Sequence, residues 1–219
     1  MISSVLVDLD GTVIDSAPVI GTVLNKLRRG RGQHDLPLSD FRPLVGLGPT
    51  ALVATALELE LGDVPEAIQE FRILYAQMPT SKSSLNAGAA RMFEDLSNIG
   101  ISIGLVSNKP EYLCRKLLLE TDILRWFDTI VGGDTTSWCK PSAGPLLRAL
   151  SDLNTNSDNA LYMGDTSIDQ LAAESAGVRF VYYNSNYDDS VARHSVWASI
   201  SRLDQLVNIV KGENDLISQ

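Results

Sequence analysis

Apolar positions along this chain fall into two alternating kinds of run. Short, β-branched stretches read as strands at residues 4–9 (SVLVDL), 101–106 (ISIGLV), 128–132 (DTIVG), 159–163 (NALYM) and 178–183 (VRFVYY). Between the later ones, residues 110–121, 143–153 and 167–177 carry apolar side chains at three- and four-residue spacing, and the last ends at Gly177, a good helix terminator. Strands separated by helix-length crossovers predict an α/β fold with a Rossmann-like, doubly wound parallel sheet. Strands that are apolar on both faces predict a sheet covered by helices on both sides.

The interval between the first two strands breaks the alternation. From Ala17 to Ser84 the chain shows only helical periodicity, in PVIGTVLNKLRR, PTALVATALELEL and PEAIQEFRILYAQ. That is too long for a loop and too helical for a linker. It predicts a small inserted α-helical domain over residues 17–83, with the core formed by 1–16 and 84–219.

Composition narrows the class. The chain has 219 residues, 44% of them apolar and 21% charged, enough for one full core with a small insert. A formal net charge of −9 argues against nucleic acid and against anionic membrane surfaces as partners. It leaves room for an anionic substrate, because a bound cation inverts the local field. No signal peptide and no apolar run of membrane-spanning length is visible. Cys114 and Cys139 form no metal pattern and read as reduced thiols, so a cytoplasmic location is expected.

Ligands of open α/β sheets sit beyond the carboxyl ends of the strands, and there this chain concentrates its chemistry. After the first strand comes DLDGT, after the second SNK (Ser107, Asn108, Lys109), after the third GGDTTSWCKP with Lys140, and after the fourth GDTSID with Asp165 and Asp169. Asp8 and Asp10 are two residues apart in extended chain and address one site while Leu9 points elsewhere. A hard divalent cation such as Mg²⁺ resolves their repulsion. Asp165 would add a carboxylate, although an Asp after a strand also serves as a helix N-cap. Asp169 would act through water or as an orienter of the inner ligands. Lys140 precedes a proline, which biases it away from helix, and as a cation in an acidic crevice it would hold a carboxylate ionised. Ser107 could donate to a phosphoryl oxygen.

In this order and near these spacings, DLDGT, SNK, KP and GDTSID resemble the motifs of the haloacid dehalogenase superfamily. The helical insert resembles that family's small cap. DLDGTVIDSAP, VSNKP, VGGDT and MGDTSIDQLAAESAG look closest to its phosphoglycolate phosphatases, although SSLNAGAARM and YYNSNYDD depart from their pattern. The resemblance implies Mg²⁺-dependent hydrolysis of a small phosphomonoester, with 2-phosphoglycolate the best single substrate, through an aspartyl-phosphate. Asp8 would be the nucleophile and Asp10 the general acid and base. Mg²⁺ would be held by Asp8, the Asp10 carbonyl and Asp165. Thr12, Ser107 and Lys140 would grip phosphoryl oxygens, with Asn108 beside them. Arg42, Gly46 and Gly48 of the insert would read the leaving group, Arg42 by pairing with a substrate carboxylate.

The glycines of VGLGPTA mimic a dinucleotide loop but lack its preceding strand. His34 and His194 have no ligand spacing. Other superfamily readings are a sugar-phosphate phosphatase, a pyrophosphatase or a phosphomutase. The non-enzyme alternatives are a silent relative that binds a phosphorylated ligand and a receiver-type signalling domain. The chain would act as a monomer or homodimer.

Overall fold

A computed structural model describes residues 1–45, 48–185 and 190–217. Six parallel strands form one sheet in the order β3-β2-β1-β4-β5-β6: β1 (Ser4–Val7), β2 (Ser102–Val106), β3 (Thr129–Val131), β4 (Ala160–Gly164), β5 (Arg179–Tyr183) and β6 (Ala198–Ile200). The five expected strands are all present. Edge strand β6 was not expected, because three residues with only Ile200 buried leave no readable alternation.

Strand alternation divides the interior in two. Val5 and Val7 of β1, with Leu161 and Met163 of β4, point into the larger core, while Leu6, Ala160 and Tyr162 point into the smaller one. Helices α7 (Gly144–Asp152) and α8 (Ser167–Ala176) cover the smaller core through Leu146, Ala149, Ala172 and Ala173. Helices α5 (Ala89–Asn98), α6 (Glu111–Glu120) and α9 (Gln205–Ile217) cover the larger one. Helix α8 opens with a capping box in which Thr166 and Asp169 satisfy each other's backbone N–H groups, and it closes at Gly177 in the left-handed conformation.

Between β1 and β2 the chain is helical, as its periodicity predicts: α1 (Ala17–Gly30), the short α2 (Arg42–Val45), α3 (Pro49–Leu57) and α4 (Val64–Gln77). Prolines at the first helical positions of α1, α3 and α4 suit sites where no backbone donor is needed. The chain leaves and rejoins the core at adjacent points. Asp15 N–H donates to the Ser84 carbonyl at 2.8 Å, and Asn86 N–H to that of Val13 at 3.0 Å. The Asn86 amide ties down the Gly11 and Thr12 carbonyls at 2.9 and 2.8 Å. The loop that carries Asp10 is therefore braced where the insert begins and ends.

Candidate active site

The parallel register places three loops side by side. Val7 lies opposite Leu105 of β2 and Met163 of β4, so Asp8, Ser107 and Asp165 emerge together at the carboxyl edge. Two backbone bonds extend the ladder: Asp8 N–H to the Met163 carbonyl and Ser107 N–H to that of Val131, both 2.9 Å.

Lys140 arrives from the loop between β3 and α7 and is the hub. Its Nζ donates to Asp8 Oδ1 at 2.6 Å, to Asp169 Oδ1 at 2.7 Å and to the Tyr162 hydroxyl at 2.9 Å. Its side chain is only 4% exposed, yet it remains charged. Burial opposes the charge, but Asp169 and Asp8 outweigh that and hold it above the ordinary lysine value. Asn108 fixes the loop by a double clamp, its amide donating to the Lys140 carbonyl at 3.0 Å and its oxygen accepting the Lys140 N–H at 2.9 Å.

The carboxylates of Asp8, Asp165 and Asp169 lie within 4.8 Å of one another. Three anions against one ammonium leave two negative charges over in a buried space. Burial, followed by repulsion from Asp169 and Asp8, pushes Asp165 well above the carboxylate range. Asp8 is pushed up to about 7, chiefly by burial. An excess of two charges among oxygen donors fits a divalent cation.

The three carboxylates are not equivalent toward such an ion. Asp169 Oδ1 accepts from Lys140 and Tyr162, and its Oδ2 accepts from the Thr166 hydroxyl at 2.6 Å and the Thr166 N–H at 3.1 Å. All four lone-pair directions are used, so Asp169 orients Lys140 and has none left for a cation. Asp165 accepts one bond on each oxygen, from Thr12 and Ser185, both at 2.7 Å. It stands so close to Gly11 that a Cβ there would lie 2.3 Å from its Oδ2. Gly11, with φ +86°, is the residue that lets the first loop turn against this carboxylate.

Asp10 faces the insert. Lys109 Nζ donates to Asp10 Oδ1 at 2.7 Å and to the Tyr75 hydroxyl of α4 at 2.9 Å, and stands 4.3 Å from the Tyr75 ring centroid. Burial works against this ammonium too, and Asp10 and Tyr75 hold it charged. Above these groups a cavity of about 110 Å³ opens between core and insert, with Asp8, Asp10, Ser107 and Lys140 on its floor.

A family model described as haloacid dehalogenase-like hydrolase matches residues 5–183, most of the chain and every charged residue of this site. The chain is a haloacid dehalogenase-like hydrolase. A phosphoglycolate phosphatase from Cereibacter sphaeroides is 33% identical over 189 residues, covering 84% of this chain and 85% of that protein. This hydrolase is thus a phosphatase-type enzyme of the family. Its fold matches the crystal structure of a predicted phosphoglycolate phosphatase from Haemophilus somnus 129pt, with a TM-score of 0.86, 20% identity and coverage of 95% of this chain and 97% of that one. It also matches β-phosphoglucomutase from Clostridium difficile, with a TM-score of 0.78, 22% identity and full coverage of both chains.

In this hydrolase the expected core residues meet: Asp8, Asp10, Ser107, Asn108, Lys140, Asp165 and Asp169 share one site. Several details differ from expectation. Thr12 is fully buried and donates to Asp165, so its hydroxyl proton is committed there rather than to a phosphoryl oxygen. Asn108 holds the Lys140 backbone. The N-cap of α8 is Thr166, which leaves Asp165 one residue outside the helix. Arg42 is ion-paired with Asp15 at 2.7 Å. Gly48 lines the cavity, and Gly46 lies outside the described residues.

Sequence reading missed Tyr162, Ser185, Tyr75, Arg72 and the role of Lys109. Only Lys109 carried a signal, as the third residue of SNK. The others sit in a strand, a loop and a helix with no distinctive pattern. Among the described residues no helix is long and apolar enough to cross a membrane.

Proposed function

We propose that this hydrolase is a Mg²⁺-dependent phosphatase of a small phosphomonoester, of the 2-phospho-carboxylate class to which 2-phosphoglycolate belongs. The supporting observation is the contact between Asp8 and Lys140, 132 residues apart in sequence and 2.6 Å apart in space, beside the carboxylates of Asp165 and Asp169. Asp8 attacks phosphorus from the cavity floor, forming the aspartyl-phosphate as the bond from phosphorus to the alcohol oxygen breaks. Asp10 gives that oxygen a proton and then takes one from the water that hydrolyses the phosphoenzyme. Lys140 and Ser107 meet the equatorial oxygens, and Asp169 with Tyr162 keeps Lys140 aimed. Asp8, Asp165 and the Asp10 carbonyl would hold Mg²⁺, whose charge lets one anion approach another.

Residues 17–83 form a cap that excludes water over the site. Two supports for this are the cavity between insert and core and the adjacent points at which the chain leaves and rejoins the core.

The test is phosphate release from a panel of phosphomonoesters by the wild type, Asp8→Asn and Asp10→Asn. Asp8→Asn should be folded and inert, and Asp10→Asn should trap a phosphoenzyme seen as an 80 Da mass gain, the order of one phosphoryl group. Turnover by Asp8→Asn at the wild-type rate would eliminate the mechanism. Transfer of phosphate back to a second sugar hydroxyl, rather than its release, would identify a mutase.

A further inference from the structure

The cavity has a floor and walls of opposite character. Carboxylates, Ser107 and Lys140 form the floor, whereas Ile20, Leu52, Ile68 and Phe71 of the insert and Leu113 of α6 line the walls. One charge interrupts the apolar surface. Arg72 of α4 is the only cation that the described residues of the insert bring to the cavity. The other arginines of the insert, Arg28, Arg29, Arg31 and Arg42, are each ion-paired. Arg72 is half-buried, and no hydrogen bond or ion pair with a described residue holds its guanidinium.

An unpaired guanidinium on a residue that lines a ligand cavity calls for an anion, and a carboxylate matches its fork with two parallel bonds. The walls call for something else. Polar groups pressed against Ile, Leu and Phe side chains lose water without replacement, whereas hydrocarbon gains from the same contact. The organic part of 2-phosphoglycolate offers such walls a single methylene.

We propose that the substrate's alcohol portion is an apolar carbon skeleton bearing a carboxylate, the skeleton packed against the insert's walls and the carboxylate held by Arg72. This deepens the phosphatase reading of the site and rests on it. Arg72 thereby takes the part that sequence reading gave to Arg42. Larger 2-phospho-carboxylic acids should outrank 2-phosphoglycolate, by about fourfold per buried methylene or methyl.

The experiment is calorimetry on the full-length Asp8→Asn variant with MgCl₂, which reports binding without turnover. The probes are 2-phosphoglycolate, 2-phospholactate, 2-phospho-3-phenyllactate and phenethyl phosphate, the last being the third without its carboxylate. Kd should tighten about fourfold from the glycolate to the lactate and further for the phenyl compound. Phenethyl phosphate should bind roughly 10- to 100-fold more weakly than its carboxylated counterpart. Adding Arg72→Met should shrink that gap below about threefold, and Arg72→Lys should restore part of it.

Binding of 2-phosphoglycolate as tightly as either larger acid would overturn the proposal. A carboxylate preference that survives Arg72→Met would do the same. Phosphate release by the wild type separates the two levels. Turnover with 2-phosphoglycolate preferred sinks this inference alone, while no release from any of the esters sinks the phosphatase reading and this inference with it. Should Asp8→Asn fail to fold, the same ratios are read as kcat/KM on the wild type and the Arg72 variants.

Discussion

Replacing Lys140 by methionine keeps the length of the side chain and removes its charge. The ammonium is 4% exposed and sits 2.6 Å from Asp8 and 2.7 Å from Asp169, whose side chains are 8% and 1% exposed. Removing one partner of a buried ion pair strands the other, at about 3–5 kcal/mol. A domain of this length has roughly 5–15 kcal/mol in total. At about 2–4 °C per kcal/mol, Tm should fall by roughly 6–20 °C.

The pH dependence of that loss carries a definite sign. Burial already raises Asp8 to about 7 from its ordinary 3.8 with Lys140 in place. Without the lysine, Asp8 titrates higher still, and Asp169 loses the neighbouring charge that helps hold it below its ordinary value. A carboxyl raised in the folded state contributes stability at low pH and loses it as pH rises through the folded value. The Tm gap between variant and wild type should therefore be wide at pH 8 and narrow at pH 5.5. Differential scanning calorimetry at both pH values, without metal, decides it. A deficit under about 3 °C at pH 8, or a gap that widens on acidification, would refute the stranded-charge account.

Further expectations follow from the same geometry. Gly11→Ala would put a methyl 2.3 Å from Asp165 Oδ2 at φ +86°; kcat/KM should fall at least about 100-fold for a modest loss of Tm, and full activity would show that Asp165 need not stand where it does. Mg²⁺ must displace any proton on Asp8, which titrates at about 7, and on Asp165, which burial holds well above the carboxylate range. Its affinity should rise at least about tenfold from pH 6 to pH 8, with proton release at pH 6 seen by calorimetry in two buffers of different ionisation enthalpy. Equal affinity at both pH values would remove Asp8 from the ligand set. Cys139 is exposed, while Cys114 is buried, with its thiol pushed up by that burial and donating to the Lys109 carbonyl. A thiol reagent at pH 8 should titrate one cysteine in the native protein and two after denaturation, and rapid native labelling of both would contradict the packing of α6.

Much of this protein is written locally. Apolar β-branched runs of four to six residues can bury both faces only as central strands, so β1, β2, β4 and β5 were readable from type and length. Helical periodicity between Ala17 and Ser84 announced the helices α1 to α4 that separate β1 from β2. Asp8 and Asp10 stood out because paired charge at the end of a buried strand is expensive without a partner, whereas Lys140 and Asp165 stood out only together with them, as charges following other strands in the order of the family's motifs. Edge strand β6 and the pairing of Thr12, Arg42 and Asn108 showed no such anomaly. A threonine, an arginine or an asparagine is at ease in water, so its position in sequence does not reveal what it binds.

Sequence by itself determined which groups must be brought together, because burying a carboxylate or an ammonium demands an opposite charge wherever the chain goes. Tertiary structure decided how the work is divided among them. Asp169 is filled by Lys140, Tyr162 and Thr166, whereas Asp165 keeps acceptor capacity, and Arg42 is paired with Asp15, whereas Arg72 faces the cavity. Hydrogen-bond capacity is finite and directional, and which lone pair or guanidinium remains available depends on neighbours from remote segments that only the folded chain brings within 3 Å, the reach of a hydrogen bond.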